Sequence, residues 1–403
     1  MGNTHDASRS PAGQVAASPA PAAPAKGLAD VVAASTAISD IDGAAGRLSY
    51  RGYDIHDLAG RTSFEEVTHL LQRGALPTRA ELAAYTAELA AARAAPTPTV
   101  DMVLPAVAAR CSPMEALRTL VSMLSADDPE AAASGPAANS RKAVRLVAQV
   151  PVLVARYHAA RTGRALAEPD AGLGTAAALL IQVTGRPADP VAVAALDECL
   201  VLHADHTMNA STFAARVCAA TLSDLHSAVT AAIGTLKGSL HGGANEAVMR
   251  VLQALREPLG DDLGRLPAAV DASVRERLAR GEKLMGFGHR VYRTEDPRAT
   301  HLRAMSRQLG ELTGDPAYHL MSDRMERTVF EVKGLRPNVD FYAASVYRSL
   351  GIPTDLFTPV FAVSRMAGWT AHVMEQQLDN RLIRPDSEYI GPEKQSWAPI
   401  EER

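Results

Sequence analysis

Aromatic residues are scarce in this 403-residue chain: Phe, Trp and Tyr make up 4%, although 47% of the residues are hydrophobic. Sheets prefer aromatic and β-branched side chains, whereas the alanine and leucine that dominate here favour close-packed helices. Cysteine is scarcer still. Cys111, Cys199 and Cys218 form no CxxC pair, and they are too few and too scattered for a disulfide framework or a thiolate zinc site. Each lies in an apolar helical context, so buried free thiols and a reducing, cytoplasmic setting are expected. No apolar run approaches the ~18 residues that suggest a membrane span. The N-terminus lacks the basic region and apolar core of a secretory signal. The formal net charge of −4 gives no general attraction to nucleic acid or anionic membrane. Small-molecule or protein partners are therefore expected. No fixed-period repeat suggests a solenoid.

The length allows two domains, or one large domain with a lobe. Residues 1–26 are rich in Ala, Pro and Ser, bury too little apolar surface to order themselves, and are expected to form a disordered tail. Between Gly27 and Asp57, Val31, Val32, Ile38 and Ile41 lie among Ser, Thr, Asp and Gly, and Asp42-Gly43 is a turn signal. Two short strands are expected there, ending over residues 48–54. Helices are expected from Ser63 onward, where Ser63 and Glu66 have the capping-box spacing. The periodicity predicts helices over 65–73, 78–94, 101–110, 113–125, 140–162, 175–184 and 190–202, separated by Pro, Gly and Asp clusters. One helix should end near His203 and another should start near Asn209 or Ser211. Further helices are predicted over 223–236, 244–256, 269–280, 298–313, 317–333, 342–350 and 359–377, the last apolar on one face. Residues 335–341 read as an irregular connection and 382–403 as extended.

Polar residues able to carry chemistry gather around His206, at His241, from His289 to Arg298, and at Asp340. His241-Gly242-Gly243 precedes a helix whose first N–H groups lack intrahelical partners and favour negative charge. The alternative is a helix cap with an incidental histidine. His203, Asp205, His206 and Asn209 crowd one turn. The spacing of the two histidines is not HExxH and no second ligand group follows, so no metal site is expected. Gly286-Phe-Gly288 is followed by Val291 where a dinucleotide fingerprint needs its third glycine, and no strand precedes it. The chain has neither a P-loop nor a GxSxG elbow. In His289-Arg-Val-Tyr-Arg293 and Asp296-Pro-Arg298, guanidinium forks suit carboxylates and phosphates. With Gly286 and Gly288 opening backbone N–H groups nearby, an anionic small ligand is expected; the alternative is a solvated basic face. Asp340 lies between Val339 and Phe341, where partly apolar surroundings raise a carboxyl pKa and make it a stronger base. Alternatively, Asp340 caps the following helix.

Together, the stretches His203-Ala-Asp-His-Thr-Met-Asn-Ala-Ser-Thr-Phe213, Leu240-His-Gly-Gly-Ala-Asn-Glu246, Met285-Gly-Phe-Gly-His-Arg-Val-Tyr292 with Asp296-Pro-Arg298, and Pro337-Asn-Val-Asp-Phe-Tyr342 resemble the citrate synthase family in order and spacing. Ser364-Arg-Met-Ala-Gly-Trp-Thr-Ala-His372 and Arg384-Pro-Asp-Ser-Glu-Tyr389 are similar to it as well. The resemblance runs from about Gly27 to the C-terminus. It implies a mainly α, citrate synthase-like multi-helical fold with a short N-terminal β segment and two domains. The large domain would comprise residues 27–240 and 345–403, and the small, CoA-binding domain residues 241–344, with the active site in the cleft between them. The implied reaction is a Claisen condensation of an acyl-CoA with oxaloacetate followed by thioester hydrolysis, with no cofactor and no metal. By motif position, His241 resembles the histidine that stabilises the thioester enol, Asp340 the base that takes the α-proton, and His289 the histidine that polarises the ketone. His206, Asn209 and Arg298 match positions that hold oxaloacetate. Arg365 and Arg384 match carboxylate-binding arginines, the latter donated by the partner subunit of a homodimer. Leu284, Met285, Gly286, Phe287, Gly288 and Arg293 match the CoA-binding stretch.

The chemistry needs such a set. A thioester α-proton is weakly acidic, so a base must act opposite a hydrogen-bond donor, and an oxyanion-hole donor is worth ~2.7–4 kcal/mol. Neutral His241 beside a helix N-terminus supplies that bond, and the helix dipole keeps it neutral. Glycines near Gly238 and Gly242 are placed for a hinge. This sequence has Ser239 where the family often has Pro. Its length leaves no room for the extra N-terminal domain of NADH-regulated members, so that regulation is not expected. Propionyl-CoA is the alternative acyl donor, as in 2-methylcitrate synthases, which often carry Tyr-Ala-Glu-His in place of His203-Ala-Asp-His206; the difference favours acetyl-CoA. Two other classes carry distinct signatures. A scaffold that has lost catalysis should lack Asp340, His241 or His289, and all three are present. A metal-dependent hydrolase should lose activity in chelator.

Overall fold

The computed structural model describes residues 26–28, 31–260 and 262–403. The expected tail, residues 1–26, lies outside these apart from Lys26. The chain divides into two units, Met1–Ser35 with Arg384–Arg403, and Thr36–Ile383. The first contains two short 3-10 turns, Lys26–Leu28 and Ile400–Glu402, with no other regular structure among its described residues, close to the extended C-terminus that was expected.

The second unit opens with a three-stranded antiparallel sheet, β1 (Ser39–Asp42), β2 (Arg47–Tyr50) and β3 (Tyr53–Asp54). Two strands were expected. The third forms because the chain reverses through Arg51 (φ 50°) and Gly52 (φ 89°), which brings Tyr53 opposite Tyr50. Leu48 and Tyr50, two residues apart in β2, are fully buried, so the side of this small sheet that they share is committed to the core.

The helical part is long, and after the four-residue α1, which precedes the first helix expected, its order follows the predicted sequence of elements. The first set is α1 (Ile55–Leu58), α2 (Phe64–Arg73), α3 (Arg79–Arg93), α4 (Pro98–Arg110), α5 (Pro113–Asp127), α6 (Pro136–Thr162), α7 (Thr175–Thr184) and α8 (Pro190–His203). After it come α9 (Ala210–Ala220), α10 (Leu225–Leu236), α11 (Ala244–Arg256), α12 (Leu266–Ala279), α13 (Pro297–Thr313), α14 (Ala317–Lys333), α15 (Val339–Ser349) and α16 (Phe357–Leu378). Local chemistry sets their ends. Ser63 and Glu66 form the reciprocal capping box at the start of α2, which stops at left-handed Gly74. Thr78 and Glu81 do the same for α3. Helices α4, α6 and α13 begin earlier than predicted because Pro98, Pro136 and Pro297 occupy the first turn, where a missing N–H costs nothing.

Two expectations need correction. Residues 335–341 are not irregular throughout: the Asn338 side chain accepts the Asp340 N–H and starts α15 at Val339. Asp340 therefore stands in the first helical turn without being the cap. Helix α16 is not apolar on one face alone. It is buried on nearly all sides from Phe357 to Val373, packed against α2, α6, α8, α9 and α10. Gly368 permits its closest approach. The Gly368 N–H lies 3.0 Å from the Ala204 carbonyl oxygen, and any β-carbon there would overlap that oxygen and the Asp205 carboxylate.

Replacing Ser63 by alanine removes one half of a complete capping box and is expected to lower the unfolding free energy by about 1 kcal/mol. Urea denaturation followed by circular dichroism measures it; an unchanged midpoint would contradict the assignment.

Candidate active site

The turn between α8 and α9 carries His203, Asp205, His206 and Asn209. Its shape is set by strain and by its neighbours. Thr207 has φ 46°, a left-handed conformation that a β-branched residue adopts at a cost of about 1–3 kcal/mol. Its N–H donates to Asp205 Oδ2 and to Ser39 Oγ, both at 3.1 Å. The Tyr50 hydroxyl contacts the Asp205 carbonyl at 3.0 Å. Asp205 is fully buried. Arg216 donates to His372 Nδ1 at 3.0 Å, so His372 Nε2 carries the hydrogen that faces Asp205 Oδ2 at 3.3 Å.

His203 and His206 point apart. His203 Nδ1 lies 2.6 Å from the Cys199 carbonyl, and its ring packs against Phe361 with centroids 4.9 Å apart. Burial pushes its pKa down to about 3. His206 instead meets the Tyr292 hydroxyl at 3.3 Å and the His289 ring at 5.2 Å between centroids. Its burial, together with the Arg298 charge, holds its pKa well below the usual histidine value. Asn209 caps α9: its Oδ1 accepts the Thr212 N–H at 3.1 Å, and Nδ2 reaches Thr212 Oγ1 at 2.9 Å. Among the described residues no group of three or more His, Cys, Asp or Glu side chains is placed to hold a metal ion.

His241 is positioned by a helix other than the one anticipated. Its Nε2 accepts the Ser211 N–H at 3.2 Å and lies 2.8 Å from Ser211 Oγ. Ser211 stands in the first turn of α9, not α11. The Trp369 indole N–H in turn reaches Ser211 Oγ at 3.2 Å. A ring nitrogen that accepts a backbone N–H must be unprotonated, which leaves the hydrogen on Nδ1. Burial, with the Arg365 charge, brings the pKa of His241 down to about 4. Gly242 is required by packing: a β-carbon there would overlap the Leu236 carbonyl and side chain. Ser239 and Leu240 are exposed.

His289 has the opposite tautomer. Its Nδ1 accepts the N–H groups of Val291 and Tyr292 at 2.9 and 3.1 Å, so Nε2 carries the hydrogen. Burial, reinforced by Arg298, lowers its pKa to about 4. Asp296 and Arg298 form a buried bidentate pair, with Nε–Oδ1 at 2.9 Å and Nη2–Oδ2 at 2.7 Å. Burial opposes the charge on Arg298, but the Asp296 carboxylate outweighs it and holds Arg298 above the usual arginine value.

Asp296 Oδ2 also accepts the Val339 N–H at 3.1 Å, which anchors α15 and the base candidate Asp340. The residue keeps some exposure, yet its carboxyl is enclosed. Loss of hydration raises its pKa to about 7; Arg298 and Arg365 pull it down and Asp296 pushes it up. Arg365 is 2% exposed. Its Nε–H donates to the His203 carbonyl at 2.7 Å, and no carboxylate among the described residues lies within ion-pair distance. Burial lowers its pKa to about 10. The same two guanidiniums act on His206 and Asp340, while Arg365 also acts on His241 and Arg298 on His289. This places His206, His241, His289, Asp340, Arg298 and Arg365 in one electrostatic neighbourhood.

Residues 284–288 are laced to the start of α15. Gly288 N–H donates to the Arg336 carbonyl and Asn338 N–H to the Gly286 carbonyl, each at 2.9 Å. Leu284 and Phe287 are buried, whereas Met285 and Gly288 are partly open. Gly286 (φ 84°) admits no side chain, because a β-carbon would lie 2.7 Å from Val248 Cγ2. Arg293 is exposed. Arg384 belongs to the other unit, where it is exposed and pairs with Asp386 at 2.7 Å. Ser211, Tyr292, Ser39 and Tyr50 were not singled out from the sequence. Their roles depend on contacts with partners 30 to 168 residues away, for which no local pattern exists.

Residues 27–386 match the family model described as citrate synthase, C-terminal domain. Citrate synthase 2 of Bacillus subtilis is 49% identical over 378 residues, covering 94% of this chain and 99% of that protein. The 2-methylcitrate synthase of Mycobacterium tuberculosis is 42% identical over 369 residues, covering 92% and 91%. Among solved structures, the ternary complex of carboxymethyl coenzyme A and oxaloacetate with citrate synthase from the archaeon Thermoplasma acidophilum aligns with TM-score 0.83 and 31% identity, over 94% of this chain and 99% of that one.

Histidine nitrogen NMR tests the two tautomers. At pH 6 both rings are expected to be neutral, with the hydrogen on Nδ1 of His241 and on Nε2 of His289, and each should gain its second proton only near pH 4. A midpoint near the ordinary value of about 6.5 for either ring would contradict the arrangement.

Proposed function

The chain belongs to the citrate synthase family of acyltransferases that form a carbon–carbon bond, and from that membership we propose that it condenses acetyl-CoA with oxaloacetate and hydrolyses the product thioester to citrate and CoA. The observation that carries the proposal is a pair of neutral histidines, each with one ring nitrogen accepting from backbone N–H and the other carrying the hydrogen, together with a carboxyl raised to about 7 under the same arginine charges. Asp340 as carboxylate takes an α-proton from the acetyl group. His241 Nδ1–H donates to the oxygen on which the enolate charge develops. The α-carbon attacks the ketone carbon of oxaloacetate while His289 Nε2–H donates to the ketone oxygen. Water then cleaves the thioester and releases CoA. Arg365, buried without a carboxylate of its own, and Arg298 are assigned to the two oxaloacetate carboxylates, with His206 beside them. Asn209 contributes by shaping the turn.

Residues 284–288 and exposed Arg293 are assigned to CoA, within a small part spanning 241–344 that closes on a large part comprising 27–240 and 345–403. A homodimer belongs to the same proposal, with Arg384 serving the partner's site. The carboxymethyl coenzyme A and oxaloacetate held by the Thermoplasma relative support this pair of ligands. No helix among the described residues is long and apolar enough to cross a membrane, and the three cysteines are free; a cytoplasmic location is consistent with both. No cofactor is assigned beyond the CoA substrate.

A 2-methylcitrate synthase among the relatives makes propionyl-CoA the competing substrate, and one methylene is worth only ~1–3 kcal/mol in an apolar pocket. Thiol release with oxaloacetate should give a higher kcat/KM for acetyl-CoA than for propionyl-CoA; the reverse order would replace the leading assignment. Asp340→Asn is expected to lower kcat by roughly 10²- to 10⁴-fold while oxaloacetate still binds. Because the folded carboxyl is raised to about 7, its base form accumulates as pH rises through that value. The parent kcat/KM should rise over the same interval, and a flat profile from pH 6 to 8 would exclude Asp340 as the titrating base.

A further inference from the structure

The three-stranded sheet lies outside every motif of the reaction, yet it touches both loops that serve the ketone substrate. Ser39, in β1, is 7% exposed. Its hydroxyl donates to Asp205 Oδ2 and accepts the Thr207 N–H at 3.1 Å. Ser39 thus closes a three-membered network over the left-handed Thr207, the residue next to His206. Tyr50, at the end of β2, adds a second hold on this turn. Its hydroxyl reaches the Asp205 carbonyl at 3.0 Å and receives the Asp205 N–H at 3.2 Å.

The β1–β2 turn grips the other loop. Gly43 O accepts the Arg293 N–H at 2.8 Å. A β-carbon on Gly43 would overlap the Val291 carbonyl, and one on Gly46 would meet Thr294 and, at 2.9 Å, the Glu295 carbonyl oxygen. Val291 and Tyr292 are the residues whose N–H groups hold His289 Nδ1. The left-handed Thr207 is an unfavourable conformation that persists only where surrounding contacts over-determine it; here its N–H is shared between Asp205 Oδ2 in the same turn and Ser39 Oγ, from a strand more than 160 residues earlier.

We infer that the β1–β2 hairpin is the positioning element for the oxaloacetate half of the site, with Ser39 setting the turn that presents His206 and Gly43 setting the loop that presents His289. This inference rests on the assignment of both histidines to oxaloacetate in the proposed function. Neither Ser39 nor Gly43 is a catalytic residue; each acts through the backbone of another segment. Two consequences separate positioning from mere stability. The loss should fall on one substrate, and it should arise independently from either end of the hairpin.

The test compares the full-length parent with Ser39→Ala and Gly43→Ala. It measures oxaloacetate binding by calorimetry, KM for both substrates, and the unfolding midpoint. Ser39→Ala is expected to weaken oxaloacetate binding and raise its KM by roughly 3- to 10-fold, as for one lost hydrogen bond, while KM for acyl-CoA stays within about twofold. Gly43→Ala should give the same selective loss. Both variants binding oxaloacetate like the parent, with only the unfolding midpoint lowered, would overturn the inference and leave the proposed function standing. Equal loss for both substrates would also overturn it. A parent that binds no oxaloacetate would overturn the proposed function and this inference with it.

Discussion

A carboxylate and a guanidinium, Asp296 and Arg298, meet out of contact with water at the start of α13, their side chains 1% and 2% exposed. Leaving either charge alone there would cost several kcal/mol, so the two are held together by the penalty of separation more than by their net attraction. The same carboxylate receives the Val339 N–H. One ion pair therefore fixes the beginning of α13 against the beginning of α15, and with it the relation between Arg298 and Asp340. Its field also helps hold His206 and His289 neutral and sets the balance of opposing charges around Asp340. Geometry and protonation in this region have a common origin.

Much of this was legible in the sequence, and the reasons are local. The helix order followed from apolar periodicity and from punctuation by Pro, Gly and capping side chains. Ser63 with Glu66 and Gly74 bounded α2 because caps act within a turn of the chain. The motif residues His206, His241, His289, Asp340 and Arg365 could be listed because their order resembles a known family. What they touch could not be listed. The helix N-terminus that fixes His241 belongs to α9, thirty residues earlier, whereas the sequence offered only the adjacent α11. The sequence marks Gly242 only as part of a hinge, and does not foretell its close packing against Leu236. Helix α16 read as one-sided, because periodicity reports the mean apolarity of a face and not the number of neighbours available to cover Arg365, Ser364 and His372.

The capping question at Asp340 shows where local reading stops. The residue types alone allow Asp340 to cap the helix that follows it, and the structure gives that role to Asn338. Asn338 takes the role because its amide also reaches the Gly288 carbonyl at 3.0 Å, which ties the cap to the loop. Asp340 is thereby released from hydrogen bonding that would have stabilised its charged form, and burial outweighs the downward pull of Arg298 and Arg365 on its pKa.

Under the proposed function, the two locked imidazoles also discriminate between ligands. To turn Nδ1 of His241 or Nε2 of His289 into an acceptor, the ring would have to place a hydrogen on a nitrogen already facing a backbone N–H, and an unsatisfied buried donor costs about 1–3 kcal/mol. The pair is therefore a fixed stencil of two donors. An inhibitor that offers oxygen lone pairs to both positions fits without rearrangement, and an isostere with an amine or N–H at either one is disfavoured before shape or charge is considered.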